Sequence, residues 1–487
     1  MKKSSIWLEN INYKPNDPLS KDIEVDVLII GGGITGLSTA YHLINSGLKV
    51  CLVEKNIIAH GVTSKTTGKL TYLQELVYSD IKKIYNIEKS KLYLESQQEA
   101  IKIVKNIINE NKIECDYNEV ESYVFSCDKN KVEKIKEEKK LLESFKIPVK
   151  ESKKLPDNKK VEYAISVEHT GVFHPLKYLI KMKEICEKNG ISIYENTKII
   201  NIYKDNLYIC KAENNIVKAK KIVIAMHYPY FLLPFFMPTK THLEKSYIMA
   251  TKTDKNLYFS AITPKQPTLS IRYLETSDKI YKILLKDSHN LAFSNNEIEH
   301  FSHLIKNLKQ TPDFIWSNKD IITSDKLPYI GRLKDDLFIG TGYNTWGMTN
   351  GSLAGKIISD LILNKNNRYT ELFDPKRGLN IGKILNFPIN LISNVKSFTA
   401  SKINKNKSWY SSKIIFEKIN GKKVGIYIDE NNKKHIVLNK CPHLKCGLIF
   451  NEEEKTWDCP CHGSRFDIDG KCIEGPSNYD ITYHENN

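Results

Sequence analysis

The sequence predicts an α/β unit on a parallel sheet, interleaved with an antiparallel region, and then a small all-β unit at the C-terminus. Three observations carry this. The stretch Val25 to Glu54 reads as strand, glycine turn, helix, strand and acid. Residues 241–320 alternate apolar and polar side chains, as an antiparallel region does. From Trp409 onward short strands take over, and five of the ten cysteines crowd into Cys441–Cys472.

The first stretch opens with Val25-Asp26-Val27-Leu28-Ile29-Ile30, an apolar, β-branched run of the length expected of a buried parallel strand. In Gly31-Gly32-Gly33-Ile34-Thr35-Gly36, Gly31 permits the tight turn, Gly33 lets backbone approach a pyrophosphate, and Gly36 lets helix pack on strand. Leu37 to Ile44 follow at helical spacing, and the free N–H groups and positive dipole end of that helix, with Ile34 and Thr35 in the turn before it, face a phosphate. A second strand, Leu48 to Val53, ends in Glu54 and Lys55, with Glu54 placed to accept hydrogen bonds from ribose hydroxyls. Strand, turn, helix, strand and acid in register make a dinucleotide site.

Composition excludes several classes. The formal charge is +16, but only five of the 73 basic residues are arginine (272, 332, 368, 377, 465), and the lysines are scattered among glutamates. Arginine is the usual reader of guanine and of phosphate forks, so no nucleic-acid partner is expected. No run approaches the roughly 18 apolar residues that mark a membrane span. The first residues, Met1-Lys2-Lys3-Ser4-Ser5, lead into no apolar signal region, and a cytoplasmic location is expected.

Residues 1–20 read as a polar lead-in. The run from Ile57 to Thr71 is small and polar; hydroxyls and amides of Thr63, Ser64, Thr66 and Thr67 can line a pyrophosphate or flavin ring, a surface loop being the alternative. Residues 74–145 read as mostly helical, broken by a strand at Ser122–Ser126. A turn at Gly171–Pro175 opens a helix to Lys188, and strands follow at Ile191–Tyr194, Ile199–Tyr203 and Leu207–Lys211. Lys220 to Ala225 is a buried strand of the kind that returns to a nucleotide-binding sheet, with Ala225 at its end. The aromatic run Tyr228–Pro238 reads as a buried crossover. Arg272 stands among the antiparallel strands, as a surface charge or as a bidentate holder of a substrate carboxylate. Leu337 to Gly351 is a strand running into a glycine-rich turn and a helix. Gly342, Trp346, Gly347, Met348 and Thr349 there form a second cofactor cradle, whose helix N-terminus can face a flavin's pyrimidine end.

In order, the first stretch, the Ser64–Thr71 run, Ile224-Ala225-Met226-His227-Tyr228-Pro229 and Gly340–Gly351 resemble the FAD-dependent oxidoreductases of the D-amino-acid oxidase/glycine oxidase type. The resemblance implies FAD, a Rossmann-like FAD-binding domain assembled from about 21–78, 165–240 and 321–375, and an antiparallel-sheet substrate domain from about 79–164 and 241–320. It also implies hydride transfer from a C–H beside an amine nitrogen. Relatives often have glycines where Leu285-Lys286-Asp287-Ser288-His289 stands, so substrate identity does not carry over. A linker, 376–408, contains an amphipathic segment at Ile384–Ile392.

The C-terminal unit, 409–487, holds Cys441-Pro442-His443 and Cys459-Pro460-Cys461-His462 on hairpin-like loops. Two thiolates can hold one iron and two imidazoles the other of a [2Fe–2S] cluster; Cys₂His₂ zinc is the competing reading. Cys446 and Cys461, read as equivalent positions in the two loops, are extra cysteines that zinc would not need. The stretch closely resembles Rieske domains, with Cys441, His443, Cys459 and His462 as metal ligands and Gly475-Pro476 as the third loop. The resemblance implies a Cys446–Cys461 disulfide, unusual in a reducing cytosol unless buried. Phe466 stands where high-potential relatives commonly have a tyrosine hydroxyl, which implies a lower potential.

The combination resembles bacterial DadA-like FAD oxidoreductases that bear a Rieske domain. The expected activity is dehydrogenation of a small amine or amino acid, with FAD taking hydride and the cluster relaying single electrons to a protein or quinone acceptor. Two alternatives stand: electrons entering through the cluster from an external donor, and a redox-sensing or structural cluster on an ordinary flavin oxidase.

Overall fold

The computed structural model describes residues 1–228, 240–255, 257–264, 268–276, 279–290, 310–378 and 413–484, apart from positions 444, 453, 461, 462, 476 and 478. The crossover at 229–238, the amphipathic segment of the linker, Cys461, His462 and Pro476 lie outside the described residues. The chain divides into two compact units, each taken here by itself.

In the first unit, β1 (Ile23–Ile30) is the centre of an eight-stranded sheet. It pairs in parallel with β2 (Val50–Val53) on one side and with Ile216–Ile224 on the other. Ser192–Tyr194 and Leu337–Thr341 extend the parallel core outward. Strands of this kind are buried on both faces, which is why Val27 to Ile30 of β1 and all of β2 read as unbroken apolar runs. The expected hairpin forms from Asn201–Lys204 and Tyr208–Lys211. Helix α1 (Ile34–His42) crosses the helix Gly347–Ile362 at close range. A Cβ at Gly351 would meet the Ile34 side chain, one at Gly355 would strike Ser38, and Ser38 Oγ donates to the Ser352 carbonyl at 2.9 Å. The glycine-rich turn therefore continues into a helix that glycine spacing lets lie against α1.

The second sheet has nine strands, in the order Phe314–Thr323, Thr241–Thr253, Ile280–Asn290, Leu269–Glu275, Phe259–Ile262, Asn118–Ser126, Lys160–Val172 and Lys69–Leu70, with Lys150–Lys154 beside Lys160–Val172. One face is apolar (Tyr123, Phe125, Phe259, Ala261, Ile271, Tyr273). The other carries buried hydroxyls: Ser122 Oγ meets both Thr170 Oγ1 and Ser260 Oγ at 2.8 Å. The thirteen-residue strand Lys160–Val172 has no counterpart in the sequence reading.

The lead-in is not a polar tail. Ile6 and Trp7 are buried in the main core, and Leu19 is buried too. Glu195, fully buried, accepts from Tyr13 Oη (2.6 Å), Asn16 N–H and Ile58 N–H (2.7 Å each), tying residues 13–16 to the loop after β2.

The second unit comprises Tyr228–Lys245, His289–Lys306 and Leu385–Asn487. Its C-terminal part holds a three-stranded sheet, Ile414–Ile419, Lys422–Ile428 and Lys434–Leu438, and a four-stranded sheet, Ile449–Asn451, Thr456–Asp458, Arg465–Phe466 and Cys472–Glu474. Trp457, Phe450, Tyr427 and Phe466 fill the space between, together with Cys441, Cys446 and Cys459.

Candidate functional site

The glycine turn has the geometry its residues require. Gly31 sits at φ +115°, and a Cβ there would press on the Ala225 carbonyl at 2.7 Å; at Gly36 it would strike the Gly31 carbonyl. At Gly33 it would meet only Thr63 Oγ1, at 3.3 Å, so the turn opens toward the Thr63 loop. Glu54 stands at the tip of β2, with Oε2 accepting from Gly32 N–H (2.8 Å) and Oε1 from Asn56 N–H (3.0 Å). Lys55 is half-buried beside it. Ala225 N–H donates to the Ile30 carbonyl at 2.9 Å, which closes the strand end over the turn.

The loop after β2 is ordered rather than a loose surface loop. Thr63 and Ser64 are buried in a 3-10 turn, Val62–Lys65, and Ser64 Oγ donates to the carbonyls of His60 and Gly61. Four consecutive carbonyls are then taken up by three distant side chains. Trp316 Nε1 donates to Lys65 O (3.0 Å), Trp7 Nε1 to Thr66 O (2.6 Å), and Arg272 Nη1 to Thr67 O (2.8 Å) and Gly68 O (2.7 Å). Thr66 Oγ1 accepts from Gly68 N–H. Arg272 is thus no surface charge: it is 1% exposed, it also donates to Phe173 O, and its guanidinium stacks over the Trp7 ring at 5.2 Å.

The second cradle meets the first. Tyr343 Oη bonds Thr35 Oγ1 at 2.7 Å, joining the α1 N-terminus to the turn before the helix Gly347–Ile362. Gly342 has φ +74°, where a Cβ would meet the Thr323 methyl at 2.6 Å. Trp346 stands at the N-cap of that helix, which begins at Gly347. Behind it lies a buried amide network: Gln74 Nε2 to Gln97 Oε1 (2.9 Å), Tyr93 Oη to Gln74 Oε1 (2.8 Å) and Gln97 Nε2 to Asn350 Oδ1 (3.0 Å). In its midst Thr349 Oγ1 is fully buried and makes no hydrogen bond among the described residues. An orphaned hydroxyl in the first turn of a helix, beside a turn shaped for close backbone approach, fits the polar edge of a bound flavin.

The cysteine-rich loops share one hydrogen-bond frame. Cys441 N–H donates to Cys446 O (2.8 Å) and Lys445 N–H to Cys441 O (2.9 Å); Cys459 N–H donates to Ser464 O (2.7 Å) and Gly463 N–H to Cys459 O (2.9 Å). Lys445 and Gly463 both take positive φ, at 61° and 74°. The position matching Cys446 in the second loop is accordingly Ser464, not Cys461. Cys441 and Cys459 are buried free thiols, and His443 follows on the first loop. The donor set of two soft thiols and an imidazole suits an iron–sulfur centre. Tyr228 meets His443 edge-on, ring centroids 6.4 Å apart. Arg465, buried at the second loop, is paired with Glu454 and with Asp458 (3.1 Å).

Sequence reasoning passed over Trp7, Trp316 and the amide network. Each acts across long sequence separations, and a lone tryptophan carries no periodic signal. It also passed over Lys69, which the run Thr66-Thr67-Gly68-Lys69 contains. Its ammonium is buried at 6% exposure and donates to Ala261 O (2.9 Å) and Ser270 Oγ (2.5 Å).

Known proteins share this organisation. A family model described as FAD dependent oxidoreductase matches residues 26–361, and one described as Rieske [2Fe-2S] domain matches 402–484. The chain is 30% identical to the putative Rieske 2Fe-2S iron-sulfur protein YhfW of Bacillus subtilis (strain 168), over 97% of this chain and 95% of that one. It is 25% identical to gamma-glutamylputrescine oxidoreductase of Escherichia coli (strain K12), over 74% and 88% respectively. In structure it is similar to glycine oxidase from Geobacillus kaustophilus, with a TM-score of 0.61 at 17% identity, over 73% of this chain and all of that one.

Proposed function

The chain belongs to the FAD-dependent oxidoreductases and carries a Rieske domain, and on that premise we propose that it dehydrogenates a small amine or amino acid and passes the electrons singly to an outside acceptor. FAD supplies the hydride acceptor and the [2Fe–2S] cluster the one-electron carrier.

The chain's own residues divide the work. The Gly31–Gly36 turn and the first turn of α1, at Ile34 and Thr35, hold the pyrophosphate, while Glu54 and Lys55 flank the adenosine ribose. Thr63, Ser64, Thr66, Thr67 and Ala225 line the cofactor, and Gly342 with Trp346–Thr349 borders its ring. Cys441 and Cys459 hold one iron of the cluster, His443 and His462 the other. A Cys446–Cys461 bridge would pin the two loops together, and Cys446 is fully buried. A neutral amine can release hydride without a side-chain base, so no residue is given that role.

The observation that carries the reading is the pairing of two redox domains in one chain: the FAD dependent oxidoreductase model matches residues 26–361 and the Rieske [2Fe-2S] model residues 402–484, and a one-electron carrier joined to a two-electron flavin is what passing electrons singly calls for.

Anaerobic titration with a panel of amines and amino acids, following flavin absorbance and cluster EPR together, tests the reading. A substrate that bleaches the flavin and then brings up a [2Fe–2S] signal supports it. A bleached flavin beside a silent cluster excludes the outward relay.

A further inference from the structure

The two cysteine loops are closed at their bases in different ways. At the first, the contact is neutral: Asn439 Oδ1, two residues before Cys441, accepts from Leu448 N–H, two residues after Cys446, at 2.6 Å. At the second, the contact is ionic. Asp458 precedes Cys459 and Arg465 follows Ser464, and the two are register partners on the antiparallel strands Thr456–Asp458 and Arg465–Phe466. Arg465 Nε donates to Asp458 Oδ1 (3.1 Å) and Nη2 to Thr456 Oγ1 (3.0 Å), and the same guanidinium is paired with Glu454. Thr456 Oγ1 donates onward to Asp458 Oδ1 at 2.8 Å.

This closure does two things that a neutral one cannot. First, it fixes direction. A planar guanidinium spanning a carboxylate on its own loop and another on the turn before Thr456 holds the strand end in one orientation. Ser464, fully buried next to Arg465, receives Ser477 N–H on its Oγ at 2.9 Å, so the third loop hangs on the position this clamp sets. Second, it carries charge. Arg465 is buried, and one guanidinium against the carboxylates of Glu454 and Asp458 leaves this cluster of side chains negative beside Cys459. Reduction of a [2Fe–2S] centre adds one electron, and a nearby negative charge in a poorly solvated site disfavours it.

Resting on Cys459 and His462 as ligands, we propose that Arg465 is a positioning residue for the cluster: its fork, shared between Asp458 and Glu454, fixes the second ligand loop against the third, and the carboxylate in excess lowers the cluster's reduction potential.

Redox titration of the holoprotein with dithionite, followed by EPR, reads the potential, and the decay of visible circular dichroism in chelator reads cluster retention. Glu454→Gln leaves Arg465 matched to Asp458 and is expected to favour the reduced form at least about twofold, an upward shift of about 18 mV for one electron. Arg465→Lys keeps the charge and loses the planar fork, and its cluster is expected to be lost at least about threefold faster. A Glu454→Gln midpoint that rises by less, or falls, overturns the proposal, and so does an Arg465→Lys loss rate within threefold of the parent. Should Arg465→Lys yield no folded holoprotein, the Glu454→Gln midpoint alone decides. A clamp that served only the fold would lower the unfolding midpoint and leave the potential where it was. A parent with no [2Fe–2S] signal removes the ligand assignment and this proposal with it, whereas a signal with an unmoved midpoint removes this proposal alone. Dithionite reduces the cluster without an amine, so the result is independent of whether any amine bleaches the flavin.

Discussion

Trp7 Nε1 donates to the carbonyl of Thr66 at 2.6 Å, across 59 residues of chain. The same indole lies under the Arg272 guanidinium and edge-on to His174, ring centroids 5.0 Å apart. The cofactor-side loop is thereby held by a residue from the N-terminal segment. Trp7→Phe keeps most of the packing and removes the donor, leaving the Thr66 carbonyl unmet. An unmet buried acceptor costs about 1–3 kcal/mol. The expected outcome is a lower unfolding midpoint and faster FAD release, read by calorimetry and flavin fluorescence; unchanged FAD retention would count against the loop's role in holding the cofactor.

Glu138 gives a pH signature. From the helix Val132–Ser144 its carboxylate accepts from Tyr78 N–H (3.0 Å) and Ser79 N–H (2.8 Å), at the start of the helix Val77–Ile84. Burial pushes its pKa up to about 7, above the unfolded value. The folded state thus binds the proton more tightly, and stability falls as pH rises from about 4.5 to 7, by about 3 kcal/mol at most. Glu138→Gln should flatten urea-derived stability across that window; an unaltered slope would locate its origin elsewhere.

Asp325 and Arg377 form a buried bidentate pair, Nε to Oδ2 at 2.7 Å and Nη2 to Oδ1 at 3.0 Å, with the guanidinium over the Tyr329 ring at 3.9 Å. Tyr85 Oη adds a bond to Asp325 Oδ2. Burial alone would raise the Asp325 carboxyl, but the Arg377 charge and these bonds hold it below its ordinary value. Arg377→Ala strands that charge, and a loss of about 3–5 kcal/mol is expected in denaturant unfolding. Asp325→Asn with Arg377→Met should recover much of it, since the cost lies in the unpaired charge.

Phe466 is fully buried, pairs with Trp457 across the sheet, and belongs to the core that holds Cys441 and Cys459. With no hydroxyl there, the cluster's midpoint potential is expected below that of respiratory Rieske centres. Phe466→Tyr should raise it by about 40–60 mV, the one-electron equivalent of a hydrogen bond worth about 1–1.5 kcal/mol. Redox titration by EPR or circular dichroism decides it, and a potential in the respiratory range for the parent would refute the argument.

The glycine turn, its flanking strands and acid, the returning strand at Ala225 and the paired cysteine loops were all legible in the sequence. Each is a local pattern in which backbone geometry or ligand chemistry dictates residue type at fixed spacing: Gly31 at φ +115° tolerates no other residue cheaply, and the two cysteine loops need a thiol at Cys441 and at Cys459. Tertiary structure alone decided what these patterns lean on. It made Trp7 a loop anchor instead of part of a polar tail, matched Cys446 with Ser464, and brought Tyr228 to His443. It also made a buried pair of Lys69 and Arg272, 203 positions apart in a chain dense with lysine. The physical reason is one of range. A turn or a ligand loop is selected by its own few residues. A side-chain donor is selected by whichever carbonyl the folded chain brings within 3 Å, and nothing in its sequence neighbourhood announces that partner.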